Sequence, residues 1–204
     1  WAYSAFLSLL VYNPDISTAE LATNIVETYI TQDQRVVDDR ARAEILNQNA
    51  VGAWSVNRMN ASQLAQYLGQ NITITAVDLQ NYQGLLDAVN QFAYQLQGID
   101  QKALAKARNY SQSYTSIFGS NVPPSFIDLS HFVQLVYKDN RDSKVRKAAE
   151  DVIGALNEVI VAEKHGPGKP GSTGIAIYFP NSQLYSNSAT GMASYTVIAD
   201  SFSK

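Results

Sequence analysis

The side chains that could do chemistry are few. His131 stands beside Ser130 and three residues after Asp128, an Asp-Ser-His grouping of the kind that activates a nucleophile. On a helix, however, sequence neighbours project in different directions, so a relay through these three is expected to be geometrically poor. A surface or partly packed histidine is the expected role for His131, and a solvated loop position for His165, the second of two histidines. Cysteine is absent, which removes a thiolate nucleophile, a thiolate metal site and any disulfide. The sequence thus offers no catalytic residue and no cofactor of its own.

The glycine-rich stretch Gly166-Pro167-Gly168-Lys169-Pro170-Gly171-Ser172-Thr173 invites comparison with a phosphate-binding loop. Pro170 follows Lys169 where such a loop places Ser or Thr on the metal, and the surrounding pattern predicts helix into strand, the reverse of the order that aims a helix N-terminus at phosphate. No metal motif is present: there is no histidine pair at helical spacing and no calcium-binding helix-loop-helix pattern. Asp38 and Asp39 read as a solvated helix surface rather than an oxygen-ligand site. Asn-x-Ser/Thr sequons occur at Asn60, Asn71 and Asn109, and carry meaning only in a glycosylating pathway.

Composition narrows the partners. With 46% hydrophobic residues and 16% charged, the 204 residues suit a globular α/β domain, helix-rich, with a substantial core. A formal charge of −3 lacks the basic excess of a nucleic-acid surface. No apolar stretch reaches the roughly 18 residues of a membrane span. Trp1-Ala2-Tyr3-Ser4 starts inside an amphipathic pattern, and an opening on tryptophan leads to the expectation of a portion of a larger protein.

The elements that would position these residues follow in order. Residues 1 to 12 place Tyr3, Phe6, Leu9 and Leu10 on one helical face, and Asn13-Pro14 ends it. Ser17-Thr18-Ala19-Glu20 forms a capping box for a helix burying Leu21, Ile25, Val26 and Tyr29. From about Thr31 to Gln70 lies a polar, locally helical insert, with a short helix from Gln63 to Leu68. Asn71 to Val77 is a β-branched strand, and Asp78 caps a helix from Leu79 to Leu96 whose inner stripe is Leu79, Tyr82, Leu85, Leu86, Val89, Phe92, Ala93 and Leu96. A further helix is expected over Gln101 to Phe118, and a turn from Gly119 to Pro124. Phe126-Ile127-Asp128-Leu129 repeats the strand-aspartate-helix step, leading into a helix to Tyr137. The longest helix is expected over Arg141 to Ala162, followed through the glycine-rich loop by Gly174 to Pro180. That unbroken apolar run predicts a parallel strand buried on both faces. Tyr195 to Phe202 fits a final helix or an edge strand.

Taken in order, several segments resemble the C-terminal part of the clostripain-like cysteine peptidases. Trp1-Ala2-Tyr3 with Leu7 looks like the family's Trp-Pro-Tyr segment; Glu20-Leu21-Ala22 with Ile25-Val26 and Tyr29 is similar to one of its helices. Ala76-Val77-Asp78-Leu79 and Phe126-Ile127-Asp128-Leu129 match its strand-to-helix turns, and Thr173 to Pro180 its apolar strand. The polar insert has no counterpart. The resemblance implies that the 204 residues form one C-terminal domain or fragment of a caspase-like α/β sandwich, with few strands in this portion. It further implies a His-Cys dyad upstream of the Trp-x-Tyr segment, cleavage after Arg or Lys, and a chain inactive by itself. Its partners would be that upstream catalytic portion and a protein or peptide substrate. Trp1 and Tyr3 would line the substrate cleft or pack as core aromatics. Calcium is suggested by the family alone, and export to the cell envelope or medium by family and composition. The alternative is a non-catalytic binding or scaffold domain that uses the insert as a partner surface.

Overall fold

The computed structural model describes residues 3–29, 63, 66, 69–70, 72–114, 124–181 and 185. Most of the polar insert, the turn after residue 114 and the C-terminal tail, including Tyr195 to Phe202, lie outside the described residues, as do Trp1, Asp38, Asp39, Asn60 and Asn71. The chain divides into two compact units, one formed by residues 1–82 and 157–174 and the other by residues 83–156 and 175–204. The described elements are helices and short antiparallel strands, a helix-rich arrangement of the general α/β class. No helix among the described residues is long and apolar enough to cross a membrane.

In the first unit, helix α1 (Tyr3–Tyr12) stops before Asn13 and Pro14, and helix α2 (Thr18–Thr28) starts at the expected box. Ser17 Oγ accepts from the Glu20 amide at 3.2 Å, while Glu20 Oε2 accepts from the Ser17 amide at 3.1 Å. Two orphan N–H groups are satisfied reciprocally, which fixes where the helix begins. Of the expected inner face, Val26 is fully buried and Leu21, Ile25 and Tyr29 are half-buried. Helix α2 packs on strand β3 (Ile160–His165), which pairs antiparallel with β1 (Thr73–Val77). The register sets Thr73 opposite His165 and Ala76 opposite Ala162, then slips by a residue so that Val77 faces Ile160. Asp78 then caps a short 3-10 turn, Leu79–Asn81. Gly174 closes the unit at φ 125°, where an added Cβ would lie 2.9 Å from Thr75 Cγ2, so both backbone and space require glycine.

The second unit contains helices α3 (Tyr82–Leu96, from residue 83 on), α4 (Gln101–Tyr110), α5 (Leu129–Asp139) and most of α6 (Ser143–Val159, to residue 156). Its strands β2 (Phe126–Asp128) and β4 (Ala176–Tyr178) pair antiparallel, with Ile127 opposite Ile177. Asp100, Asp128 and Asp142 each turn the chain into a helix by accepting backbone N–H groups with their carboxylates. Helix α4 packs on α5, and α5 on β2. The buried set is continuous in type: Leu85 and Phe92 from α3, Ile127 from β2, Leu129, Phe132, Val133 and Val136 from α5, with Val145, Ala149, Val152 and Leu156 from α6. Phe132 meets Phe92 and Phe179 edge-to-face at centroid distances of 6.1 and 5.4 Å.

Several expectations are corrected. Helix α6 ends at Val159 and passes without a loop into β3, so Ile160 to Ala162 are strand rather than helix. Three successive β-branched residues, Val159, Ile160 and Val161, favour the extended conformation once β1 offers a ladder. The glycine-rich loop therefore joins β3 to β4, strand to strand. Strand β4 is antiparallel, three residues long, and exposed at Ala176, in place of a parallel strand buried on both faces. The helix expected to Phe118 ends at Tyr110, because Ser111 folds its hydroxyl back on the Ala107 carbonyl and Ser113 bridges to Ile127. In the stripe expected for α3, Leu79, Tyr82 and Ala93 are exposed and Leu86 marginally so; Leu79 belongs to the 3-10 turn that precedes the helix.

Candidate functional site

The second unit gathers its polar side chains around the β2–α5 step. Asp128 is 0% exposed. Its Oδ1 accepts from the His131 amide at 2.9 Å, and its Oδ2 accepts from the Tyr114 hydroxyl at 3.0 Å. A buried carboxylate is tolerable only with such donors, so this one is committed to holding the turn. The His131 ring points elsewhere: its Nδ1 accepts from the Gln112 amide at 3.0 Å. That bond places the proton of the neutral ring on Nε2 and occupies the lone pair a general base would use. Ser130 Oγ accepts from Gln134 Nε2 at 3.0 Å. Asp128, Ser130 and His131 are close in sequence, yet no side-chain bond among them forms a relay.

Arg108, on α4, is a charged residue to which sequence pattern alone gives no role. It is 8% exposed. Its Nε donates to the Phe179 carbonyl at 3.0 Å, one Nη to the Pro124 carbonyl, and the other to Asn109 Oδ1 at 3.3 Å. Burial pushes its pKa below the usual guanidinium range, and none of its bonds among the described residues is to a carboxylate. The signal was present in the spacing, since Leu104, Ala107, Arg108 and Ser111 share the inward face of one helix.

Beside it the helices leave an apolar cavity of about 360 Å³, walled by residues that include Val89, Leu96, Leu104, Phe132 and Phe179. An adjoining space of about 290 Å³ is lined by Arg108, Asn109 and Pro180 and shares Gln101, Leu104 and Phe179 with the first. An apolar chamber with a few convergent polar groups is the common form of a small-ligand site.

In the first unit, His165 lies at the end of β3 rather than in a loop, and its Nδ1 is 2.9 Å from Glu163 Oε1. The two side chains sit two residues apart on one face of the strand. Lys164, on the other face, donates from Nζ to the carbonyls of Glu27 at 2.8 Å and Tyr29 at 2.7 Å, closing the C-terminal end of α2. Burial lowers the Lys164 pKa, and the charge of Glu27 works against that shift.

Tyr3 opens α1, and its side chain lies outside the described residues, as does all of Trp1. Among the described residues no three His, Asp or Glu side chains converge. Of the sequons, Asn109 is exposed on the last turn of α4. No family model, curated protein or solved structure matches the chain.

Proposed function

We propose that this chain is the C-terminal, non-catalytic portion of an exported clostripain-like cysteine endopeptidase with a caspase-like fold. The observation that carries the reading is the ordered set of segments described above, above all the paired strand-aspartate-helix steps at Asp78 and Asp128. The chain contains no cysteine, and the His131 Nδ1 lone pair is taken by the Gln112 amide. Hydrolysis would then belong to a His-Cys dyad upstream, the thiolate attacking the peptide carbonyl and the imidazole transferring the proton to the leaving amine. Trp1 and Tyr3 are assigned to the wall of the cleft. Strand β4, an edge of its described two-stranded sheet, is the element on which a larger sheet would continue.

The test is to express the chain alone and together with the preceding part of its gene, and to assay both on fluorogenic peptides ending in Arg or Lys. Activity is expected only from the longer protein. An upstream sequence without His and Cys, or hydrolysis by this chain alone, would refute the proposal.

The second reading, a binding or scaffold domain, is favoured by one observation: the apolar cavity of about 360 Å³ adjoins a space of about 290 Å³ that is lined by the buried Arg108.

A further inference from the structure

Arg108 and the cavity together raise a question that the peptidase proposal does not address. Removing a guanidinium from water is costly, and carbonyl dipoles compensate a full charge incompletely. Among the described residues three of its five N–H groups are engaged, by the Phe179 and Pro124 carbonyls and by Asn109 Oδ1, and no carboxylate is among those partners. Yet Arg108 lines an open space, and that space continues into the apolar chamber through Gln101, Leu104 and Phe179. One end therefore offers positive charge with donors to spare, and the other offers hydrocarbon and aromatic walls.

From this polarity we infer that the second unit is a binding site for an apolar monocarboxylate, its chain in the cavity of about 360 Å³ and its carboxylate on Arg108. The charge selects the head group. An alcohol of equal length would lose the charge-assisted bonds, and an amine would bring a second cation to a buried one. The walls select the tail, because the lining is dominated by Val89, Phe92, Leu96, Leu104, Phe132 and Phe179. One N–H remains on each Nη beyond these bonds, and a carboxylate, with two oxygens, can accept from both.

Titration calorimetry of the full 204-residue chain with decanoate, decanol and decylamine tests the inference. Decanoate is expected to bind, with decanol weaker by about tenfold or more and decylamine weaker still. Arg108→Gln should bring decanoate down to the level of decanol. Ala93→Trp, at an exposed position on the cavity rim, should reduce binding of decanoate and decanol alike without disturbing buried packing. It keeps the test decisive if Arg108→Gln fails to fold. Failure of decanoate to bind, equal affinity for decanoate and decanol, or unchanged binding by Ala93→Trp would each overturn the inference. The peptidase proposal is read from cleavage assays of the longer protein and stands or falls separately.

Discussion

The two units use the same local device in opposite surroundings. In the first, Asp78 ends β1 and accepts the Gln80 amide at 2.9 Å, and the following Leu79 is 74% exposed. In the second, Asp128 ends β2 and accepts the His131 amide at the same distance, and the following Leu129 is 3% exposed. The sequence around each is an apolar residue, aspartate and leucine, so the local propensity to turn from strand to helix is shared. What differs is the packing behind it. Among the described residues the fully buried apolar side chains of the first unit are Val26 and Val159, whereas the second buries residues from α3, β2, α5 and α6 together. A capping carboxylate in contact with water needs one good donor. A capping carboxylate in a core needs all its oxygens satisfied, and Tyr114 is the side chain that reaches in to do so.

The contrast can be broken most severely at the core itself. Phe132→Ala should cost about 3–5 kcal/mol by urea unfolding, since the ring is buried and packs on Phe92 and Phe179. A cost below about 1 kcal/mol would mean that this unit is not organised around α5. Next is Asp128→Ala, expected to cost about 2–4 kcal/mol, because the Tyr114 hydroxyl and the His131 amide lose an acceptor that is itself fully buried. Tyr114→Phe combined with Asp128→Ala should cost less than the sum of the single changes, as expected for partners in one bond.

Asp78→Ala, the matching change in the first unit, should cost only about 1 kcal/mol, the ordinary value of a helix cap. Equal costs at Asp78 and Asp128 would remove the distinction between the two settings.

Much of this frame was legible in the sequence because it is written locally. The capping box at Ser17, the aspartate steps and the stripe of α5 depend on residues within a turn of each other. The misread features depend on distant partners. Val159-Ile160-Val161 continues the apolar pattern of α6, and what makes it strand from Ile160 onward is the ladder to β1, more than eighty residues earlier in the chain. Ile175 to Phe179 reads as a doubly buried strand because every side chain is apolar. Its direction is set instead by backbone bonds to 125–129, with the Leu129 amide donating to the Ile175 carbonyl and the Phe179 amide to the Ser125 carbonyl. The setting of Arg108 depends on chain-distant partners in the same way. A single basic residue in a polar helix looks solvated until the carbonyls of Phe179 and Pro124, far along the chain, are brought to it.

The smallest effect concerns the exposed cap of the first unit. Glu20 holds the Ser17 hydroxyl and the Ser17 amide, and these two bonds, the hydroxyl first, lower its pKa below the usual glutamate value against a small opposing effect of desolvation. A carboxylate with a depressed folded-state pKa stabilises above its unfolded pKa, and that contribution disappears as pH falls through the folded value. The box should therefore be intact at neutral pH and loosen only in acid, below the range where free glutamate titrates. Following the Glu20 carboxyl carbon by NMR against pH checks the direction, and the protection of the Ser17 amide relative to its intrinsic exchange rate should fall over the same interval. Glu20→Gln retains an acceptor for the Ser17 amide but cannot titrate, so its Ser17 exchange should lack this acid-side step. A Glu20 titration at or above that of an unstructured glutamate would show that the bonds to Ser17 are too weak to define the start of α2, and that the first unit depends on the β1–β3 ladder alone.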